Sequence, residues 1–467
     1  MNESLERYFN CYFIGIGGIG MSNLARYFLA EGKTVGGYDR VQSPLTDALT
    51  KEGAFIHYED NIDAVPQQFL DKERTLIVYT PAVPSNHSEL NFFRSEGFMV
   101  MKRAQVLGEI SKMSDAICIS GTHGKTTVSS MIAHLLRQSH VDCNAFLGGI
   151  SKNYNSNLIL SDKSRITVVE ADEYDRSFHW LQPWIGIITS ADPDHLDIYG
   201  TPEAYRESFE IFTSLIRSGG YLILKKDIAV MPRCESTVRV FTYSENSGDF
   251  HAENIRIGNG EIVFDFVSPF GVVADVQLGV PMKINIENAV ASIAAAMLAG
   301  VTPDEAREAM QTFAGTKRRF DTRIKTDEIV FIDDYAHHPK ELAESIDSIK
   351  ALYPTKKITG VFQPHLYTRT RDFADDFARS LSKLDEVILL DIYPAREEPI
   401  EGVTSEIIFN KITTENKVMC HKSDLHTLLK SRDIEVLVTL GAGDIDRLLP
   451  DIDKLLREKS KRKDAVL

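Results

Sequence analysis

The residues best suited to chemistry stand at 120–127, where the chain reads Ser-Gly-Thr-His-Gly-Lys-Thr-Thr. An apolar, strand-like run at 116–119 precedes this segment, and a helical pattern of apolar residues follows it. A glycine-rich loop between a strand and a helix offers backbone N–H groups and a helix N-terminus to phosphates, and its lysine reaches the outer phosphates. The segment therefore predicts a nucleotide-phosphate site formed by Gly121, Thr122, His123, Gly124, Lys125, Thr126 and Thr127.

A second glycine loop, Gly-Ile-Gly-Gly-Ile-Gly at 15–20, follows a predicted strand at 11–16 and opens a predicted helix at 21–30. Acidic Asp39 ends the next predicted strand, at 34–38. This arrangement satisfies the dinucleotide fingerprint, in which a diphosphate sits on the helix N-terminus and an acid reads a ribose. The pattern does not say which diphosphate is bound. NAD is the usual ligand of this fingerprint. The nucleotide loop at 120–127 and the lack of a clear set of redox residues elsewhere in the chain argue against NAD.

Two further polar segments follow predicted strands. Glu170 comes directly after the apolar run 166–169 and opens the stretch Glu-Ala-Asp-Glu-Tyr-Asp, and His195 follows the predicted strand at 185–189. Because ligands bind at the carboxyl edge of open α/β sheets, we expect both side chains to share that edge with Lys125. A carboxylate there commonly holds Mg²⁺ or a water molecule, whereas the remaining acids also fit a solvated turn.

The last third of the chain carries histidines after two more predicted strands, in Asp-Asp-Tyr-Ala-His-His-Pro at 333–339 and Gln-Pro-His-Leu-Tyr-Thr-Arg-Thr-Arg at 363–371. Both segments combine histidine with groups that bind carboxylates or phosphates. Neighbours on an extended segment point to opposite sides, so we expect that His337 and His338 do not share one metal ion.

The alternation of short apolar runs with helical patterns predicts an α/β protein. Residues 250–280 differ, because polar and apolar residues alternate there and are interrupted by Gly-Asn-Gly and Pro-Phe-Gly, which is typical of β-hairpins. We predict three domains: a Rossmann-like N-terminal domain at 1–104, a central P-loop ATPase domain with added β-hairpins at 105–316, and a C-terminal Rossmann-like α/β domain at 317–467.

Composition excludes several classes of function. The net charge of −15 disfavours nonspecific binding of nucleic acid, and no apolar run approaches the ~20 residues that cross a bilayer. The acidic start Met-Asn-Glu-Ser-Leu lacks a signal-peptide core, which predicts a cytoplasmic location. The five cysteines are scattered and never form a CxxC, so neither a disulfide framework nor a zinc site is indicated. The oligomeric state is not readable from these patterns.

Taken together, the ordered motifs resemble those of the Mur ligases of peptidoglycan synthesis, over nearly the whole chain. They are Gly-Ile-Gly-Gly-Ile-Gly-Met-Ser at 15–22, Gly-Thr-His-Gly-Lys-Thr-Thr at 121–127, Glu-Ala-Asp-Glu at 170–173, Asp-His-Leu-Asp at 194–197, Lys-Arg-Arg-Phe-Asp at 317–321, and the two histidine segments. The resemblance implies an ATP-dependent ligase of the alanine-adding branch. It would join L-alanine to the lactyl carboxyl of UDP-N-acetylmuramate through an acyl phosphate.

The resemblance also implies residue roles. It assigns the first loop to the UDP diphosphate rather than NAD, with the UDP-sugar contacts Gly15, Gly17, Gly18, Gly20, Met21, Ser22 and Asp39. Lys125 matches the residue that contacts the ATP phosphates, and Asn285 and Arg319 join the ATP-binding set. Thr126, Glu170 and His195 match the family's magnesium site, and the histidine would let Mn²⁺ substitute. The catalytic set is Lys125, His195, His337, His365 and Arg369, of which the last three match residues near the amino acid and the reacting carboxyl.

The chain departs from the family pattern in three places. Ile284 replaces a histidine near adenine, which leaves Asn285 for the base contact, and Leu366 replaces an arginine, which leaves Arg369 as the carboxylate clamp. Residues 202–217 contain no lysine for carbamylation, which fits the alanine-adding branch. Three alternatives stay open: a recycling ligase that adds a preformed peptide to UDP-N-acetylmuramate, an NAD-dependent oxidoreductase, and a nonenzymatic ATP-gated binding module.

Overall fold

The first part of the chain forms a five-stranded parallel sheet with the strand order β3-β2-β1-β4-β5. A computed structural model describes residues 5–395 and 397–464, without the side chains at 197 and 462–464. Residues 1–4, which entered the prediction of location, lie outside the described part. The sheet comprises β1 (Asn10–Ile14), β2 (Thr34–Tyr38), β3 (Phe55–His57), β4 (Thr75–Tyr79) and β5 (Met99–Lys102), and its helices are α1 (Ile19–Ala30), α2 (Pro44–Lys51), α3 (Ser88–Ser95) and α4 (Arg103–Lys112).

The second sheet has seven strands in the order β12-β11-β10-β6-β9-β7-β8. Its pairs are parallel except that β8 runs antiparallel to β7. The elements are β6 (Asp115–Ser120), α5 (Lys125–Arg137), β7 (Asn144–Ser151), β8 (Ser156–Ile159), β9 (Ile166–Glu170), β10 (Ile185–Ile188), α6 (Leu196–Tyr199), α7 (Pro202–Ser214), β11 (Tyr221–Lys225) and β12 (Arg239–Tyr243). Because β6 lies between β9 and β10, the loops that follow these three strands meet at one edge.

A three-stranded sheet and two helices come next. The sheet contains β13 (His251–Gly258), β14 (Glu261–Ser268) and β15 (Gly271–Gln277), joined by the short turns predicted from glycine and proline. Helices α8 (Ile284–Leu298) and α9 (Pro303–Thr312) follow. Buried Ile286 belongs to the apolar face of α8 near its N-terminus.

The last sheet has six strands in the order β16-β17-β21-β18-β19-β20, and β16 is antiparallel to β17 while the other pairs are parallel. The elements are β16 (Asp321–Lys325), β17 (Val330–Asp334), α10 (Pro339–Leu352), β18 (Ile358–Phe362), α11 (Tyr367–Asp372), α12 (Ala374–Leu381), β19 (Glu386–Leu389), α13 (Glu406–Phe409), β20 (Lys417–Met419), α14 (Leu425–Ser431), β21 (Val436–Leu440) and α15 (Leu449–Asp464). Strands β17, β18 and β21 are almost wholly buried, so their carboxyl ends hold the following loops rigidly.

The described chain divides into two compact units. The first runs to Glu253 and adds Asp265–Ala274 and Glu287–Thr312, and the second comprises Asn254–Phe264, Asp275–Ile286 and the chain from Phe313 onward. The predicted boundary at residue 104 lies inside the first unit, and the three-domain boundaries stay a prediction. In the part of the chain described, no helix is both long and apolar enough to cross a bilayer.

Candidate active site

The first glycine loop connects β1 to α1 and is tied to the end of β2. The backbone N–H of Gly17 donates a hydrogen bond to Asp39 Oδ2 at 2.7 Å. A Cβ at Gly17 would lie 2.9 Å from that oxygen and 2.7 Å from Thr46 Cγ2, so a side chain has no room there. Asp39, predicted to read a ribose, therefore also holds the loop in shape.

The start of α1 directs two predicted contact residues inward. Met21 packs in the core, and the buried Ser22 hydroxyl donates to Ile19 O at 2.9 Å. Asn157 Nδ2 donates to the same hydroxyl at 3.1 Å. The side chains of Met21 and Ser22 are thus engaged by the protein itself, and a ligand at this loop meets mainly backbone at Gly15, Gly18 and Gly20.

Arg103 lies against this loop and was missed by the sequence reasoning. A Cβ on Gly20 would come within 2.6 Å of Arg103 Nη1, which places the guanidinium at the start of α1. Arg103 Nη2 also lies 3.4 Å from Asp172 Oδ2, in the acidic segment after β9. A helix N-terminus with an adjacent guanidinium is suited to a diphosphate.

The second glycine loop lies between β6 and α5 and is pinned to the chain after β10. Gly121 has φ +142°, and a Cβ there would lie 2.1 Å from Thr189 Oγ1, so only glycine fits. Ser190 Oγ accepts from the His123 N–H at 2.8 Å, and Thr122 Oγ1 donates to Asp192 O at 2.7 Å. These contacts preform the loop that was predicted to bind phosphate.

Lys125, the first residue of α5, is held by two acceptors. Its Nζ donates to Gly121 O at 2.6 Å and to Glu173 Oε1 at 2.8 Å, and Glu173 Oε2 lies 2.7 Å away. Glu173 is only 2 % exposed. Burial raises the pKa of Glu173, while the ammonium group of Lys125 opposes that shift.

Thr126 and Glu170 come together beside the same loop. Thr126 Oγ1 donates to Glu170 Oε1 at 3.2 Å, and Gly148 on β7 leaves space for the carboxylate, because a Cβ there would lie 2.1 Å from Oε2. His195 instead contacts its neighbour Asp194, with Nε2 3.8 Å from Oδ2, and meets Tyr174 edge-on. Within the described residues, no three histidine, cysteine or carboxylate side chains group as a metal site.

Two predicted ATP-binding residues, Thr127 and Asn285, lie on helices. Thr127 is half-buried in the first turn of α5. Asn285 is buried, and its Nδ2 donates to Val280 O at 3.1 Å, so this side chain serves the turn before α8. Asn288, which was not predicted, lies at the phosphate loop, since a Cβ on Gly124 would be 3.1 Å from its Oδ1.

The second unit brings together His337, His365 and Arg369. The two imidazole ring centroids are 5.9 Å apart, and Arg369 Nη1 lies 3.5 Å from His365 Nδ1. His337 Nδ1 lies 3.0 Å from the carbonyl oxygen of Tyr335. His338 turns elsewhere, because its Nδ1 accepts from the Lys340 N–H as the cap of α10.

The pKa values of His337 and His365 are both below that of an ordinary histidine. Burial lowers the pKa of His365 to about 4, and neighbouring His337 and Arg369 add to the effect. Burial also lowers the pKa of His337, against the opposing charge of Glu341. Both rings are therefore neutral near pH 7 and able to accept a proton.

Arg318 and Arg319 are adjacent in the chain but make different contacts. Arg319 lies 6.0 Å from the ring centroid of Tyr335, whose carbonyl also meets His337. Arg318 donates to Gly441 O at 2.6 Å and so fixes the glycine loop after β21. Burial lowers the pKa of His337 and the charge of Arg319 adds to this effect, whereas Arg318 contacts the loop after β21.

Three family descriptions match successive parts of this chain. "Mur ligase family, catalytic domain" matches residues 10–114, "Mur ligase middle domain" matches 119–296, and "Mur ligase, glutamate ligase domain" matches 318–443. The chain belongs to the Mur ligase family. This membership confirms the predicted fold class, three α/β domains of a Mur ligase, and the predicted enzyme class, an ATP-dependent ligase.

Curated relatives cover nearly the whole chain. The UDP-N-acetylmuramate–L-alanine ligase of Parabacteroides distasonis is 62 % identical over 97 % of this chain and 98 % of its own length. That of Phocaeicola vulgatus is 60 % identical over 96 % and 98 %. Among solved structures, the UDP-N-acetylmuramate-alanine ligase of Thermotoga maritima superposes with a TM-score of 0.80 at 25 % identity, covering 97 % of this chain and 99 % of that one.

Proposed function

We propose that this chain joins L-alanine to the lactyl carboxyl of UDP-N-acetylmuramate, cleaving ATP to ADP and phosphate, in the cytoplasmic stage of peptidoglycan synthesis. The observation that carries the proposal is the 62 % identity over 97 % of the chain to a relative with that name. The geometry of both units supplies groups suited to each step.

The first step must activate the carboxylate, which is a poor acyl donor. The carboxylate attacks the γ-phosphorus of ATP, giving an acyl phosphate and ADP. Loop 121–127 receives the phosphates on backbone N–H groups, and Lys125 places an ammonium group beside them. Thr126 and Glu170, two hard oxygen donors 3.2 Å apart, would hold Mg²⁺, which neutralises triphosphate charge when it is bound.

The second step is attack by the amine of L-alanine. The ammonium form must first lose a proton, and the imidazole of His337, which is neutral near pH 7, is the first candidate acceptor, because the pKa of about 4 makes His365 the weaker base. Because the Tyr335 carbonyl can only accept, His337 Nδ1 carries the proton and Nε2 is left as the basic atom. Arg369 would bind the carboxylate of alanine, and phosphate leaves when the amide forms.

The UDP diphosphate is assigned to the loop after β1. The N-terminus of α1 and the guanidinium of Arg103 offer positive charge there. This assignment makes Arg103 an additional substrate contact.

The deciding experiment measures ADP release with UDP-N-acetylmuramate, with and without L-alanine, and identifies the product by mass. We expect turnover only when both substrates are present, and a product with the mass of the alanyl amide. The tripeptide L-alanyl-γ-D-glutamyl-meso-diaminopimelate tests the recycling alternative, and NADH absorbance tests the oxidoreductase. Turnover with the tripeptide but not with L-alanine would refute the proposal.

A further inference from the structure

Glu173 is a buried acid that the proposed reaction leaves without a task. It follows β9 by three residues, and its carboxylate faces the ammonium group of Lys125 with both oxygens within 2.8 Å. A carboxylate is an unexpected neighbour for a lysine that binds phosphates. Carboxylate and phosphate are both negatively charged, and they repel each other strongly in a poorly solvated site.

The donors of Lys125 are limited. An ammonium group has three N–H bonds. Gly121 O takes one and Glu173 takes another, so a single donor remains for a phosphate oxygen. A bound nucleotide must therefore share the lysine with Glu173 or displace it.

The backbone at Glu173 is held beside the loop. Its carbonyl oxygen accepts hydrogen bonds from the Tyr199 hydroxyl and, at 3.0 Å, from the Arg176 N–H. Glu170, the other acid of this segment, meets Thr126 instead. The two glutamates thus have separate partners at the loop.

We propose that Glu173 is a positioning residue, a built-in counter-ion that holds Lys125 against the loop and competes with nucleotide phosphate for its ammonium group. The competition limits affinity for nucleotide and speeds the release of ADP. This inference rests on the proposed function only in taking loop 121–127 as the nucleotide site.

The test is calorimetric titration of ADP into the full chain in solution free of Mg²⁺. We expect Glu173→Gln to bind ADP about tenfold more tightly than the wild type, a change of about 1.4 kcal/mol. Glu173→Asp keeps the charge one methylene farther from Lys125 and should fall between the two. Asp175→Asn is the matched control, because Asp175 pairs with Lys102 at 2.6 Å, and it should stay within about twofold.

The dissociation rate of a fluorescent ADP analogue gives a second readout, and it should fall in parallel with the dissociation constant. A purely structural role would weaken ADP binding, and unchanged or weaker binding in both variants overturns the proposal. If Glu173→Gln does not fold, Glu173→Asp decides alone, with at least about twofold tighter binding required. Repeating the titration with Mg²⁺ separates this role from metal binding, since a magnesium ligand would show weaker binding only there.

The two proposals fail in different ways. ADP binding needs neither sugar nor amino acid, so a chain that does not ligate alanine still reports on the counter-ion. A wild type that ligates alanine, with variants whose ADP affinity is unchanged, rejects the counter-ion alone.

Discussion

Replacing Lys125 with alanine should do more than abolish ligation, because it leaves Glu173 buried without its cation. Lys125 is the side chain that offsets the burial of this carboxylate, and the two side chains are 14 % and 3 % exposed. Losing one member of a buried ion pair costs about 3–5 kcal/mol, and leaving a buried polar group unpaired costs about 1–3 kcal/mol. We expect about 3 kcal/mol of lost stability, where the two ranges meet.

The loss should depend on pH. Burial already raises the pKa of Glu173, and removing Lys125 removes the charge that opposes this shift. The folded variant then binds a proton that the unfolded chain releases, so the penalty is absent below the unfolded carboxyl pKa of about 4.3. The stability penalty grows as pH rises from that value through the raised folded pKa of Glu173, by at most about 1.4 kcal/mol per pH unit.

The assay is urea unfolding at pH 6 and pH 8, followed by tryptophan fluorescence. The two tryptophans of the chain, Trp180 and Trp184, both lie in the first unit, so the signal reports on the unit that carries Lys125. The double variant Lys125→Ala/Glu173→Gln should be more stable than the sum of the single changes by at least about 1 kcal/mol. Additivity within about 0.5 kcal/mol, or a deficit that shrinks as pH rises, would refute the reasoning.

Three further predictions concern the substrates. Arg369→Lys keeps the charge but loses the planar fork, so KM for L-alanine should rise at least about tenfold while KM for ATP changes little in steady-state kinetics; an equal loss for ATP would contradict the assignment. His337→Gln should lower kcat about a hundredfold if this ring takes the amine proton. The wild-type rate should fall in acid as His337 becomes protonated, and this fall should lie below pH 6.5 because burial lowers the pKa of His337. Gly17→Val should abolish UDP binding by calorimetry, since its side chain would meet Asp39; NAD binding that the variant loses would instead restore the oxidoreductase reading.

Much of the fold follows from local patterns. The predicted strand at 34–38 is found with those bounds, and the one predicted at 185–189 is found one residue shorter, at Ile185–Ile188, because apolar runs between turn residues are typical of buried parallel strands. The strand predicted at 11–16 ends instead at Ile14, since the backbone turns into the glycine loop. Site residues such as Glu170, His337 and His365 were predictable from the sequence because they follow the ends of predicted strands.

The sequence by itself determined both glycine loops, the lysine after the second loop, and the histidines that follow β17 and β18, since each depends on spacing within a few residues. Only the tertiary structure decided the partners of those groups. Three contacts illustrate this: the partners are 48 residues apart in Lys125–Glu173, 83 in Gly20–Arg103 and 164 in Gly124–Asn288. The sequence alone also does not distinguish Asn285 from Asn288 as the asparagine at the phosphate loop. Such contacts depend on which loops the strand order brings together. Local secondary-structure propensity does not determine that order.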